Sequence, residues 1–275
     1  MAHRGDRANR TAAVFHAALL ALALPPATAV AGPTWDGLKT DIYGARPIED
    51  GKGIVDLKAP ARPDDQSAVP VSVTARFNDG RTVRSVSIIV DENPSPLAAV
   101  FLIGGERQQV RLGANFRFNS ATDVRAVIEA SDGQLYMAER HVKFAGGQAA
   151  CSAPSQGEPD EILARMGTMQ LISAAAPPGL SQMEPMARLE ISHPNHTGMV
   201  LDQISLLYIP LRMVSQVEVK QGDDLVFSMT GSISLSQDPA IDFDYRVNGA
   251  SRMNVLMRDS DEATWTASFP IGEGS

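Results

Sequence analysis

Val69-Pro70-Val71-Ser72-Val73-Thr74-Ala75-Arg76-Phe77 alternates residue by residue. Val71, Val73, Ala75 and Phe77 fall on one side, and Ser72, Thr74 and Arg76 on the other. A period of two is that of an extended chain with one face in a core and the other in water. Asn78-Asp79-Gly80 then supplies a turn, and Val83 to Val90, rich in Val and Ile, supplies a second strand broken by Asp91-Glu92-Asn93-Pro94. Leu97 to Ile103 is apolar throughout and stops at Gly104-Gly105. Asp123 to Ala130, the Asp132-Gly133 turn and Leu135 to Phe144 read as a hairpin. Short strands at this spacing predict a β-sandwich from about Trp35 to Phe144.

A second set follows. Ala187 to Ile191 is a short strand, and Val214 to Lys220 and Leu225 to Met229 flank a Gly222-Asp223 turn. Ile241, Phe243, Tyr245 and Val247 alternate with Asp242, Asp244 and Arg246. Asn248-Gly249 then predicts a two-residue hairpin back into Met253 to Met257. The alternation puts Asp242 and Asp244 on the solvated face. Thr264 to Phe269 is a last strand. The fold class expected is therefore all-β, two immunoglobulin-like sandwich domains over residues 32–145 and 187–275. A linker over 146–186 joins them, dense in Gly, Pro and Ala. Within it, Asp160 to Met166 predicts a short helix between Pro159 and Gly167, and Met169 to Ile172 a strand. The rest is expected to be exposed and mobile.

The N-terminus carries Arg4, Arg7 and Arg10, then an apolar stretch from Ala12 to Leu24, then Pro25-Pro26-Ala27-Thr28-Ala29-Val30-Ala31. Basic, apolar and small-residue regions in this order form a secretory signal peptide over residues 1–31, with cleavage after Ala31. The apolar stretch is shorter than the roughly 20 residues that span a bilayer. No arginine pair is present, so general secretion is expected, and the mature protein is expected to be periplasmic and without a membrane span. The chain is acidic, with a formal net charge of −8, and more so once the basic leader is removed. That excludes a general nucleic-acid binder, which needs clustered Lys and Arg.

One cysteine, Cys151, is present, so no intramolecular disulfide can form. It sits in Gly146-Gly147-Gln148-Ala149-Ala150-Cys151-Ser152-Ala153-Pro154, where no neighbour in sequence is bulky enough to cover a thiol. An accessible thiol is expected, with Gly146 and Gly147 giving the segment its freedom. No Lys, Arg or His lies within a few residues to favour the thiolate. The local sequence therefore describes a handle for cargo and not an activated nucleophile.

Other groups are weaker candidates. His193 and His196, in Ser192-His193-Pro194-Asn195-His196-Thr197-Gly198, are spaced for a metal but lie in a Pro/Gly loop without a fixed third ligand. Asp259, Asp261 and Glu262 read as a solvated turn, and His141 as outward-facing. There is no G-x-S-x-G elbow, P-loop, G-x-G-x-x-G or C-x-x-C. No metal or cofactor is expected, and no enzymatic activity.

The residues nevertheless resemble a family. Val69-Pro70-Val71, Val90-Asp91-Glu92-Asn93-Pro94-Ser95-Pro96-Leu97-Ala98, Asp132-Gly133-Gln134-Leu135-Tyr136 and Val142-Lys143-Phe144-Ala145-Gly146-Gly147 are similar to SoxY. Ile191-Ser192-His193-Pro194, Thr197-Gly198, Ile209-Pro210 and Ser234 are similar to SoxZ. The chain resembles the two subunits of the periplasmic sulfur-oxidation carrier joined in one polypeptide, as in the SoxYZ-like carriers associated with quinoprotein dehydrogenases. The resemblance implies packed immunoglobulin-like sandwiches and a cysteine on a glycine-rich arm that holds sulfur intermediates covalently. It also implies partners among periplasmic redox or sulfur-processing enzymes, a quinoprotein dehydrogenase among them. Cys151 is the one position that can inherit the cargo role. In the family the arm ends Gly-Gly-Cys-Gly-Gly at the chain terminus. Here Gln148-Ala149-Ala150 precedes Cys151 and the chain continues, so the segment is held at both ends.

Three readings other than a covalent carrier stand beside it. One is a non-covalent adaptor for a periplasmic dehydrogenase with Cys151 incidental. Another is a scaffold dimerised through a Cys151 disulfide, and the last is an enzyme using His193 or His196.

Overall fold

The computed structural model describes Met1 and residues 35–144, 146, 148–174 and 184–271. The expected signal peptide and its cleavage site after Ala31 lie outside the described residues. Gly32–Ser275 forms one compact unit.

A helix not expected from the sequence opens it: α1 (Trp35–Tyr43) buries Leu38, and the Trp35 ring lies 4.5 Å from the Arg125 guanidinium. Eight strands follow: β1 (Ile48–Asp50), β2 (Val55–Lys58), β3 (Val69–Arg76), β4 (Val83–Val90), β5 (Leu97–Ile103), β6 (Gln109–Phe116), β7 (Thr122–Ala130) and β8 (Leu135–Val142). A single 3-10 turn (Ala150–Ser152) and helix α2 (Pro159–Arg165) occupy the middle. Then come β9 (Met169–Ala174), β10 (Met186–Ile191), β11 (Val214–Gln221), β12 (Asp224–Gly231), β13 (Ala240–Asp244), β14 (Arg252–Asp259) and β15 (Thr264–Pro270). In β3 the alternation holds: Val69, Val71, Val73 and Ala75 are buried. Pro159 starts α2 and Gly167 follows it, as predicted.

The strands form two sheets, ordered β1-β8-β7-β4-β5-β12-β11-β14-β15 and β2-β3-β6-β13-β10-β9. The fold is all-β, as the alternation predicts, and open sandwich sheets of immunoglobulin-like kind fit it. The two halves of the sequence are not separate layers, however. β5 pairs antiparallel with β12, Met229 opposite Phe101, and β6 pairs with β13, Ile241 opposite Ala114. Each sheet runs through both halves, and one apolar core fills the space between them. Phe101, Phe227 and Phe243 join it in edge-to-face contacts at centroid distances of 5.7 and 5.1 Å.

The predicted Asn248-Gly249 hairpin does not form. β13 belongs to the six-stranded sheet and β14 to the nine-stranded one, so the segment between them crosses from sheet to sheet. Asp244, expected in water, is fully buried. Its carboxylate accepts from Arg107 Nη2 at 2.6 Å, Arg111 Nε at 3.1 Å and the Arg111 backbone N–H at 2.9 Å. Glu184 completes the group through Arg107. Asp242, by contrast, is half-exposed and pairs with Arg188 at 3.0 Å, near its expected place.

The seam between the halves explains Gly104, which follows β5. Its N–H donates to the Val226 carbonyl, and a Cβ there would sit 1.8 Å from the Leu225 carbonyl oxygen. That oxygen belongs to the backbone and cannot swing aside. Gly104→Ala is expected to cost about 2–3 kcal/mol, read as a lower urea midpoint at unchanged slope; an unchanged midpoint would show that the seam yields freely.

Candidate functional site

Cys151 occupies the single 3-10 turn, with extended backbone on either side at Ala149 and Ala153. Its side chain is 0% exposed, which corrects the accessible thiol expected from sequence. The small neighbours in sequence do not cover it. Distant segments do.

Two of those segments hold its backbone. The Cys151 N–H donates to Asn119 Oδ1 at 2.8 Å. Thr197 Oγ1 donates to the Cys151 carbonyl at 2.5 Å. Asn119 sits just past β6, in a loop held by Asn93: the Asn119 N–H donates to Asn93 Oδ1, and Asn93 Nδ2 donates to the Arg117 carbonyl and to Ser234 Oγ. Thr197 sits in the loop after β10. Farther along the arm, Ser155 Oγ lies 3.3 Å from His196 Nδ1. Gln156 N–H donates to Gln237 Oε1 at 2.8 Å. Gly146 is exposed and sits at φ +99°, a backbone conformation that favours glycine. Its carbonyl accepts from Gln66 Nε2. Gly147 lies outside the described residues.

Burial pushes the Cys151 thiol up from 9.0 to about 11, against a smaller lowering by the nearby Arg117 guanidinium. At neutral pH the thiol is therefore protonated and both hidden and unreactive. A raised pKa in the folded state stabilises the fold fully below the ordinary value of 9.0. That contribution is lost as pH rises from 9.0 toward about 11. The difference in ultraviolet thiolate absorbance between wild type and Cys151→Ala should therefore titrate near 11 when folded and near the ordinary value in urea. A folded midpoint at the ordinary value would contradict a buried thiol.

A cleft of about 710 Å³ runs along the arm, lined on the arm by Gln148, Ala150, Ala153 and Pro154 and on the body by Gln66 and Arg117. Burial, with Arg117 and Arg212 nearby, lowers the pKa of His196. His193 is buried too. Its Nδ1 faces both the Asn195 N–H at 3.1 Å and Asn195 Oδ1 at 3.0 Å, and its Nε2 lies 3.6 Å from Asp259 Oδ2. Burial lowers its pKa. Asp259, expected in solvent, is buried. Burial pushes its carboxyl upward, but bonds from Arg212 and from the Ala263 and Asp261 N–H groups outweigh it and hold the pKa below the ordinary range. The two histidines are thus parts of the frame under the arm. Among the described residues, no group of three or more His, Cys, Asp or Glu is placed to hold a metal, and no helix is long and apolar enough to cross a membrane. His141 is exposed, as expected, beside Asp123 at 2.8 Å.

Sequence reasoning missed Asn119, Arg117 and Thr197. It also passed over the segment after Thr197, where Ile204, Leu206, Leu207 and Tyr208 stand 95%, 71%, 68% and 67% exposed. Four large apolar side chains in five residues were visible in the sequence. Apolar residues so clustered in water are a surface for another molecule more often than an accident.

The chain matches the family model for the sulfur oxidation protein SoxY over residues 39–149 and that for the sulphur oxidation protein SoxZ over residues 182–270. The SoxY match stops two residues short of Cys151. No curated protein matches the chain significantly. Among solved structures, the sulfur carrier protein SoxY from Chlorobium limicola f thiosulfatophilum is 27% identical, over 41% of this chain and 96% of that one, at a TM-score of 0.35. A superoxide reductase (neelaredoxin) from Ignicoccus hospitalis is 13% identical, over 38% of this chain and 85% of that one, at a TM-score of 0.25. The two family matches, in order and covering most of the chain, show a SoxY domain followed by a SoxZ domain: the chain belongs to these families as a fused, SoxYZ-like protein.

Proposed function

We propose that the protein is a periplasmic sulfur carrier, not an enzyme, that holds its cargo covalently on Cys151 and presents it to sulfur-processing or redox enzymes, a quinoprotein dehydrogenase among them. The observation that carries this reading is the arrangement around the one cysteine of a SoxY–SoxZ chain. It is a thiol on a short segment whose backbone is held by two side-chain hydrogen bonds, and neighbouring residues of that segment, Ala150 and Ala153, line a cleft of about 710 Å³. The buried position is then the closed state. Loading needs the segment to lift, which breaks the bonds to Asn119 and Thr197 while Gly146 lets the chain pivot. Secretion through the N-terminal leader would place the protein where its partners are.

The test is Cys151→Ala in cells that depend on the protein for sulfur oxidation. The variant should fold, because the side chain is small, and should lose function completely. Full function in a folded Cys151→Ala protein would overturn the carrier reading and favour the adaptor. The exposed apolar segment at 204–208 is the observation on that side, and an adaptor would keep its partner complex in the variant.

A further inference from the structure

The loop after β10 carries more than Thr197. Residues 199–211 fold as a small hairpin: Leu201 bridges to Tyr208, His196 bridges to Arg212 at the base, and the Ile209 N–H donates to the Val200 carbonyl. Asp202 shapes the tip, its carboxylate accepting from the Ile204 and Ser205 N–H groups and from the Ser205 hydroxyl. The tip presents Ile204, Leu206, Leu207 and Tyr208, all exposed. Leu206 adopts φ +57°, a left-handed conformation in which Gly or Asn is favoured. Neither the backbone nor the core accounts for a leucine at that position. Asp202 is the only charged residue between Thr197 and Arg212, and Arg212 is held by Asp259 at 2.8 Å.

We infer that this hairpin is a docking surface for a protein partner: the enzyme that acts at Cys151 takes the hairpin tip into an uncharged apolar pocket of its own. The inference rests on the carrier reading, since a carrier needs a docking surface as much as an adaptor does, and it adds the place where the partner sits. Position points to this partner. Thr197, at the foot of the hairpin, donates to the Cys151 carbonyl, and Ser155 of the arm lies 3.3 Å from His196. The seven residues from Thr197 to Ile204 span at most about 25 Å, so one protein domain can cover the tip and reach the Cys151 segment. Size points the same way. The tip offers on the order of a few hundred Å² of apolar surface, against the roughly 800 Å² per partner of a stable interface. That is too little for a lasting dimer of this chain and suits a brief encounter. Charge sets a lipid surface aside: the chain is acidic and the hairpin carries no Lys or Arg, so nothing draws it to anionic headgroups. The SoxY-matched half thus leads into the thiol and the SoxZ-matched half supplies the docking surface.

The test follows sulfur through Cys151 in native cells that carry the full chain. The cells receive a pulse of a 34S-labelled inorganic sulfur compound that they oxidise, and the rate at which label enters the Cys151 peptide is read by mass. Entry slows whether docking serves loading or unloading, because an occupied cysteine accepts nothing further. Ile204→Ser combined with Leu207→Ser should cut the rate about tenfold, with the urea midpoint unchanged. Leu206→Gly should also slow entry while holding or raising the midpoint, since it removes the side chain and suits the left-handed backbone. Leu102→Ser, on the exposed side of β5, should leave the rate unchanged. A wild-type rate in the folded tip variants overturns the inference, as does an equal loss in Leu102→Ser. So does a wild-type dimer in sedimentation that the tip variants make monomeric, which would put a second copy on the tip. Binding to phosphatidylcholine–phosphatidylglycerol vesicles that the tip variants lose would assign the tip to lipid and overturn it likewise. Label that never reaches wild-type Cys151 would instead remove the carrier reading, and this inference with it.

Discussion

Asp244→Ala is expected to lower the stability of the fold by about 3–5 kcal/mol, a large share of the 5–15 kcal/mol typical of a domain. Asp244 is fully buried and accepts from Arg107 and Arg111. Removing it leaves two guanidinium groups at the base of the β6–β13 seam with only Glu184 between them. The loss should appear as a lower urea midpoint with unchanged slope. Asp244→Asn should fall in the same direction, since it keeps the shape and removes the charge. A change under about 1 kcal/mol would mean that water reaches the group. Because the seam joins the two halves, the loss should be cooperative across the whole unit. Separate unfolding of the halves would contradict the shared sheets.

The second large effect concerns the arm. Asn119→Ala and Thr197→Val each remove one of the two side-chain bonds that hold the Cys151 backbone. A neutral hydrogen bond contributes about 0.5–1.5 kcal/mol net, so the double variant should open more often by roughly tenfold to a hundredfold. Labelling of the native protein by iodoacetamide at neutral pH should speed up by that factor, with global stability little changed. If the double variant labels at the wild-type rate, these bonds are not what holds the arm closed.

The sequence made the strands legible where period and punctuation agreed. β3, β4, β5, and the β7–β8 and β11–β12 hairpins stand where alternation, or an apolar run bounded by turn residues, put them. α1 was not legible, because its nine residues bury one leucine and it is held partly by Trp35 against Arg125, far away in sequence. The β13–β14 region misled for a physical reason. Asn-Gly favours a tight turn locally, but whether two flanking strands pair is decided by the sheet each can join, and these join different ones. Asp244 and Asp259 looked solvated because their arginine partners are remote: Arg107 and Arg111 for one, Arg212 for the other. The same limit explains Cys151. It could be picked out by counting, but the side chains that hold its backbone, Asn119 and Thr197, are remote in sequence, and only folding brings them to it.

The most direct test is the intact mass of the protein purified from its native cells without reductant. A fraction of chains should be heavier than the sequence mass, with the excess mapping to Cys151, removed by dithiothreitol and absent from Cys151→Ala. A homogeneous population of unmodified chains, isolated while sulfur compounds are being oxidised, would contradict the carrier reading.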